Sequence, residues 1–330
     1  MKKLFYLLVV LALFITYGCK SEIKPTELTY YEYFDTIISI RLYDELKEDQ
    51  LKLREKIAEE LKFLHNKFDN FGDGDIAKLN REKRLSDQFL ADILSQILKD
   101  EEITFYKTDI SKGKLFNIWK NAIENAKMPI EKSIREANLL GGISSIDING
   151  DLITLTGGAE VDLGMVAKGI LNNILVDFIK NLGYNNFIID SGGNITCVGA
   201  PSSSRNYYNT GIRDPFNASN VVDVLKMTDV SMVTSGSYER GVQVGDEYIH
   251  HIIDLKTARP YNGSVRSATI VGKDAYICDF LSTVTYLSSD KEVERIFSYY
   301  PDYYYYIIYE DKSIKVSEEL KPYLNNYNGG

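Results

Sequence analysis

Apolar positions recur along this chain with two periods, one helical and one alternating. Residues 30–43 hold a strand pattern, Thr36-Ile37-Ile38-Ser39-Ile40-Arg41-Leu42. Residues 45–67 read as an amphipathic helix, with Leu46, Leu53, Ile57, Leu61 and Leu64 at helical spacing. The spacing predicts further helices near 86–107, 114–124, 164–182, 274–287 and 290–299. Residues 144–157 alternate as a hairpin that turns at Asn149-Gly150-Asp151. The apolar strand Phe187-Ile188-Ile189 is followed by strands near 195–199, 209–213, 222–227 and 231–234. Others follow near 249–254, 265–271, 303–308 and 313–316. Phe68 to Asp75 reads as a loop from its Gly and Asp content, without the closing Glu of an EF-hand. Strand runs mixed with helix runs predict an α+β fold: mixed or antiparallel sheets flanked by helices in one compact unit.

The first residues have a different pattern. Lys2 and Lys3 precede an apolar run from Leu4 to Ile15, then Thr16-Tyr17-Gly18-Cys19. A basic start, a short apolar centre and a small residue before the cut describe a bacterial signal peptide over residues 1–18. The run is short for a membrane span. Cys19 looks like the lipid-modified cysteine of a lipoprotein; ordinary secretory cleavage that leaves a thiol is the alternative. On the lipoprotein reading, residues 19–29 are a tether and 30–330 the folded domain. Buried acyl methylenes then anchor the domain at the cell envelope, on the periplasmic or extracytoplasmic face.

Composition narrows the classes. The 330 residues, 44% of them apolar, exclude a disordered chain, a collagen-like repeat and a small disulfide scaffold. A net charge of −9 argues against a nucleic-acid partner. Besides Cys19 there are only Cys197 and Cys278, far apart and without CxxC spacing, and three His. These do not build a typical zinc site, so any metal is expected to be hard and oxygen-ligated.

Four segments bear polar groups where chemistry needs them. Val161-Asp162-Leu163-Gly164-Met165-Val166-Ala167-Lys168-Gly169 opens an apolar helix, whose N-terminal N–H groups suit phosphate, with Lys168 as a point charge; an ordinary capped core helix reads the same way. Asp190-Ser191-Gly192-Gly193-Asn194 allows backbone to approach a ligand, or is a plain turn; it is not the dinucleotide fingerprint GxGxxG. Thr234-Ser235-Gly236-Ser237-Tyr238-Glu239-Arg240 offers hydroxyls at a strand end, followed by His250-His251-Ile252-Ile253-Asp254. In Asp279-Phe280-Leu281-Ser282-Thr283, Asp279 and Thr283 share one helix face. A carboxylate there is costly unless paired, and with a hydroxyl it suits magnesium.

In this order, the four segments resemble the ApbE-type FAD:protein FMN transferases, as do Phe34-Asp35-Thr36, Asp73 to Asn80 and Thr108 to Trp119. The resemblance covers nearly all of the chain beyond Cys19 and implies an ApbE-like, T-fold-related fold. It implies Mg²⁺ held by Asp279 and Thr283, with Ser282 nearby and the Met165 carbonyl. FAD contacts would come from Phe34, Asn70 or Phe71, Lys107, Thr108, Asp109, Asp162, Lys168 and the Ile253 backbone. His251 matches the catalytic-region histidine and Asp254 follows it. FMN would pass from FAD to a threonine of an acceptor flavoprotein, such as a subunit of a membrane redox complex, with AMP leaving.

The chain departs from that pattern at Lys114, after Asp254 and at Thr257-Ala258-Arg259-Pro260, where the family has proline or glycine. A tyrosine that stacks on the flavin or adenine in the family falls on Asn70 or Phe71. Weaker stacking would favour water as acceptor, which makes FAD hydrolysis to FMN and AMP an alternative activity. A lipid-anchored flavin carrier without chemistry is the alternative from another class.

Overall fold

The structure is a computed structural model that describes residues 24–217 and 219–325; the expected signal peptide and Cys19 lie outside the described residues. Its elements in chain order begin with β1 (Thr26–Tyr30), β2 (Ile38–Leu42), α1 (Gln50–Phe68), α2 (Asp75–Glu82) and β3 (Arg84–Ser86). Next come α3 (Gln88–Ile103), α4 (Gly113–Glu124), α5 (Glu131–Asn138), β4 (Ile146–Asn149), β5 (Leu152–Leu155), α6 (Ala167–Asn181), β6 (Phe187–Ser191) and β7 (Asn194–Val198). The strands β8 (Tyr208–Arg213), β9 (Val221–Met227), β10 (Val230–Gly236), β11 (Gly241–Val244), β12 (Glu247–His250), β13 (Ile253–Asp254), β14 (Arg259–Pro260) and β15 (Val265–Gly272) follow. The described chain closes with α7 (Ala275–Tyr286), α8 (Asp290–Phe297), β16 (Tyr304–Tyr309) and β17 (Ile314–Val316).

Among the described residues, one eight-stranded sheet runs in the order β1-β2-β6-β7-β10-β15-β16-β17, with every neighbouring pair antiparallel. Successive residues of a strand face opposite sides. Phe187, Ile189, Val233 and Ile270 join a core with the helices, whereas Ile188, Met232 and Val271 join Tyr208, Leu225 and Met227 of the β8–β9 hairpin. Both faces are therefore buried, which is why Phe187-Ile188-Ile189 reads as an unbroken apolar run rather than an alternating one.

Helices α6 and α7 pack together over the helical face. They come close together at Gly169, where an added Cβ would lie 2.4 Å from Ala275 O and 2.7 Å from Asp279 Cβ. Only the absence of a side chain permits that approach, and it brings the start of α6 onto the first turn of α7.

Several expected boundaries shift for local reasons. Helix α1 starts at Gln50, because the Asp49 carboxylate accepts the Leu51 N–H at 2.9 Å and caps it there. Helix α3 stops at Ile103, since Phe105 and Tyr106 take left-handed φ values of 61° and 53°. The tether expected over residues 19–29 is folded from Thr26 on: β1 is an edge strand with Leu28 and Tyr30 buried. The strand expected over 249–254 is interrupted between β12 and β13. Helices α2 and α5, of eight residues each, were not expected from the spacing. No helix among the described residues is long and apolar enough to cross a membrane.

Candidate active site

The junction of α6 with α7 gathers the polar groups. Helix α6 opens after a turn at Gly164 to Val166, and its Gly169 N–H donates to Asp279 Oδ2 at 2.9 Å. Gly169 is the third residue of α6, whose ladder begins with the Ile170 N–H on Val166 O, so its own N–H has no acceptor within the helix and the side chain from α7 supplies one. Met165 precedes the Val166 cap, so its carbonyl lies outside the helix ladder. Asp279 is buried. Desolvation pushes its carboxyl upward, against Lys168, the Gly169 N–H and the neighbouring Asn194 amide, which favour the ionised form.

One turn further along α7, Ser282 Oγ donates to Asp279 O at 2.8 Å and lies 2.7 Å from Ser235 Oγ of β10. Thr283 Oγ1 is 3.2 Å from the same Ser235 hydroxyl. Asp279, Ser282, Thr283 and Ser235 therefore form one group, with Lys168 at its edge. Ser235 was legible only as part of the Thr234–Arg240 segment; its partners are 47 and 48 residues away.

A second group forms a rim three residues before Met165. Asp162 Oδ1 accepts the Gly164 N–H at 2.7 Å, and Oδ2 accepts from Asn70 Nδ2 at 2.7 Å. Burial raises the Asp162 carboxyl, opposed by the Gly164 N–H, Lys120 and Asn70. Phe71 keeps an exposed ring, with Lys120 Nζ 4.1 Å from its centroid. The same ammonium is 3.6 Å from Asp35, which links the β1–β2 loop to the rim. Phe34, in that loop, has a left-handed φ of 58°, donates its N–H to His65 Nδ1 and packs its ring against His65 and Phe68. Lys120 had no local sequence signal, because its role comes entirely from what α4 faces.

Asp109 and Thr108 are buried beside the rim: the Asp162 N–H donates to Ile110 O at 2.9 Å, and Asp109 Oδ1 accepts the Ser111 N–H. Lys107 points to the far end of α7, where its ammonium is 2.6 Å from Glu292 Oε1 and 3.5 Å from Leu287 O. Glu292 is held at about 2 against a desolvation cost, by Lys107 and by the Ser289 N–H and hydroxyl of the α8 cap.

His251 interrupts the strand between β12 and β13. Its ring Nδ1 is 3.1 Å from Arg240 O, and a carbonyl can only accept, so Nδ1 carries the proton and Nε2 keeps a free lone pair. The ring reaches solvent in a recess crowded by protein. That crowding pushes it down to about 3, helped by Arg240, Lys168 and His250, while the Arg240 carbonyl opposes the shift. Glu239 occupies the same recess: the surrounding protein raises it, opposed by Lys168, Arg213 and Arg240. The neighbouring His250 is structural, donating Nε2–H to Tyr261 O at 2.8 Å and accepting the Ile252 N–H.

Asp254 and Ile253 stand apart from the α6–α7 group. Asp254 closes its own turn, accepting the Lys256 N–H at 3.0 Å and the Thr257 hydroxyl at 3.2 Å. Ile253 is buried with Leu115 and Trp119, and Trp119 Nε1–H donates to Ala258 O at 2.9 Å. Cys197 and Cys278 are both buried free thiols.

Known proteins share this fold. The ApbE family profile matches residues 34–307. The chain is 27% identical over 222 residues to the FAD:protein FMN transferase of Treponema pallidum, covering 62% of this chain and 61% of that protein. It is 23% identical over 313 residues to the Haemophilus influenzae FAD:protein FMN transferase, covering 89% and 90%. With the Treponema pallidum and Vibrio cholerae relatives, the matched stretch spans 61% and 58% of their lengths. The solved ApbE protein of Thermotoga maritima has a TM-score of 0.79 at 24% identity, covering 91% of this chain and 99% of that one. The flavin transferase ApbE of Vibrio cholerae gives 0.77 at 20%, covering 91% and 99%. These two likenesses establish the fold.

Proposed function

The chain belongs to the ApbE family, and from that premise we propose that it moves FMN from FAD onto a threonine hydroxyl of an acceptor flavoprotein and releases AMP. The observation that carries this reading is the α6–α7 junction, where a buried carboxylate and hydroxyls meet beside a helix N-terminus and a lysine.

The donor set fits magnesium. Among the described residues, no three His, Cys, Asp or Glu gather to hold a metal by protein charge alone. Magnesium typically takes one or two carboxylates together with substrate phosphates and keeps several waters. Asp279, Thr283 and Met165 O are the groups to hold it, with Ser282 and Ser235 fixing the Thr283 hydroxyl from behind. When bound there, the ion neutralises pyrophosphate charge and so favours cleavage of the phosphoanhydride.

The protein's own groups supply the rest. The α6 N-terminus and Lys168 attract the pyrophosphate. Asn70 and Asp162 with the Phe71 ring form the rim against which the flavin or adenine lies. The acceptor threonine oxygen attacks the FMN phosphorus, the bond from that phosphorus to the AMP oxygen breaks, and the threonine proton passes to His251 Nε2. The imidazole, with its Nδ1–H tied to Arg240 O, presents Nε2 as that acceptor. On this reading the domain hangs from the bacterial envelope by a lipid on Cys19, facing acceptors on the extracytoplasmic side.

The test is to incubate the protein with FAD and Mg²⁺, with and without a threonine-containing acceptor flavoprotein. Transfer gives AMP together with flavin fixed covalently on the acceptor. AMP without acceptor labelling means FAD hydrolysis, and bound FAD with no AMP means a carrier; either result rejects transfer.

A further inference from the structure

Helix α2 and the loop before it form one piece. The Ala77 N–H donates to Asp69 O at 3.0 Å and the Phe71 N–H to Asp69 Oδ1 at 2.9 Å, while Arg81, in the last turn of the helix, donates Nη1–H to Gly72 O. Asn70 and Phe71 belong to this loop, and Asn80 stands near the other end of the piece. Both asparagines reach the same short stretch of chain. Asn70 Nδ2 donates to Asp162 Oδ2 at 2.7 Å. Asn80 Oδ1 accepts the Val161 N–H at 2.6 Å, and its Nδ2 donates to Val161 O at 2.9 Å. The orientation of the Asn80 amide is fixed, because the Val161 N–H can only donate and its carbonyl can only accept.

The backbone of residues 160–162 is held by two different segments. The Glu160 N–H donates to Ser111 O at 3.2 Å, the Asp162 N–H to Ile110 O at 2.9 Å, and Glu160 O accepts the Gly113 N–H at 2.8 Å. Val161, between them, bonds both of its polar groups to Asn80. It has no exposed surface, so those groups would be costly to leave unpaired. An asparagine amide carries the same donor and acceptor as a peptide unit, which lets one side chain take the place of a neighbouring strand. Just past the helix, Lys83 Nζ adds a tie to Ala159 O at 2.9 Å. The end of α2 is thereby docked one residue before Asp162, and its leading loop meets the Asp162 carboxylate itself.

We propose that Asn80 is a positioning residue for FAD: by docking α2 on Val161 it holds the Asn70 amide against the Asp162 carboxylate and so sets the affinity of the rim for the nucleotide. The proposal rests on the reading of that rim as the place where FAD lies. The Asn80 amide is committed to Val161, and its effect on FAD runs through Asn70 and Asp162.

Titration of FAD with the full chain, followed by flavin fluorescence with EDTA present to keep the dinucleotide intact, separates the possibilities. The first comparison is wild type against Asp162→Ala; equal binding by the two rejects the rim itself. Given binding that depends on Asp162, Asn80→Ala raises the FAD dissociation constant about tenfold, the scale of one or two lost hydrogen bonds. In an Asn70→Ala background the same substitution adds less than about twofold, because its route is gone. Thermal unfolding checks that each variant is folded, and Asn80→Asp, which keeps an acceptor for the Val161 N–H, replaces the alanine variant if that one does not fold. A folded Asn80 variant that binds FAD within about twofold of wild type overturns the proposal. So does a loss that is undiminished in the Asn70→Ala background, because a merely structural role gives that additivity.

Discussion

His251 shows how one backbone carbonyl and a crowded recess set a protonation state. Its depressed pKa leaves the imidazole neutral at pH 7, with Nε2 as the free base. Transfer rate should therefore stay flat as pH falls through 6.5, where an ordinary histidine base would lose half its activity; a rate profile with an inflection at 6.5 contradicts this. Stability should move in step. Below pH 6.5 the unfolded chain binds a proton that the folded His251 does not, so the fold weakens as pH falls from 6.5 toward 3. His251→Ala should lower transfer by about 10²–10⁴ while FAD still binds, as measured by single-turnover labelling and flavin fluorescence. At this scale the sequence was informative wherever the signal was local. Asp279 and Thr283 share a helix face by their spacing alone, and the structure groups them. Ser235 was legible only as one hydroxyl of the Thr234–Arg240 segment, and Lys120 gave no such signal, because each acquires its role from a partner on a distant segment.

Between elements, the decisive contact is that of α6 with α7. Gly169→Ala puts a Cβ into the Ala275 carbonyl and the Tyr276 Cα, backbone atoms that cannot rotate away. Calorimetry should show a loss of about 1–3 kcal/mol, the usual scale for overpacking, together with weaker divalent binding as the helices part. The end of α3 offers a pH test of its own. Glu101 is fully buried, and its Oε1 accepts the Ile110 N–H beside Asp109. Burial first, and then the Asp109 charge, raise it from 4.5 to about 8. Between those values the folded state holds a proton that the unfolded chain has released, so stability falls as pH rises through that window. Glu101→Gln should flatten the fall in Tm between pH 5 and pH 8; an unchanged slope would contradict the assignment. Long helices and central strands were legible because several turns or both strand faces repeat the same signal. The short α2 and α5, the edge strand β1 and the left-handed Phe105-Tyr106 break were not, since each depends on tertiary packing or on an unusual backbone conformation.

Across the whole molecule, the sheet is covered on both faces, and the site lies where α6 and α7 meet the ends of β6, β7 and β10. Segments separated by more than a hundred residues converge there, which is why no single motif was specific by itself and the order of four motifs carried the family resemblance. Cys19 stands five residues before the first described residue and seven before β1, so the proposed lipid anchor would sit close to the domain in sequence. The chain should accordingly fractionate with membranes, and Cys19→Ala should release it into the soluble fraction; a soluble wild-type protein would reject lipidation. The central claim concerns phosphoanhydride cleavage by the cation site on α7, and AMP release from FAD as Mg²⁺ is titrated tests it most directly. The account predicts AMP formation that requires Mg²⁺ and falls by at least about 10²-fold in Asp279→Asn. AMP formed equally well by that variant, or without any divalent ion, would contradict it.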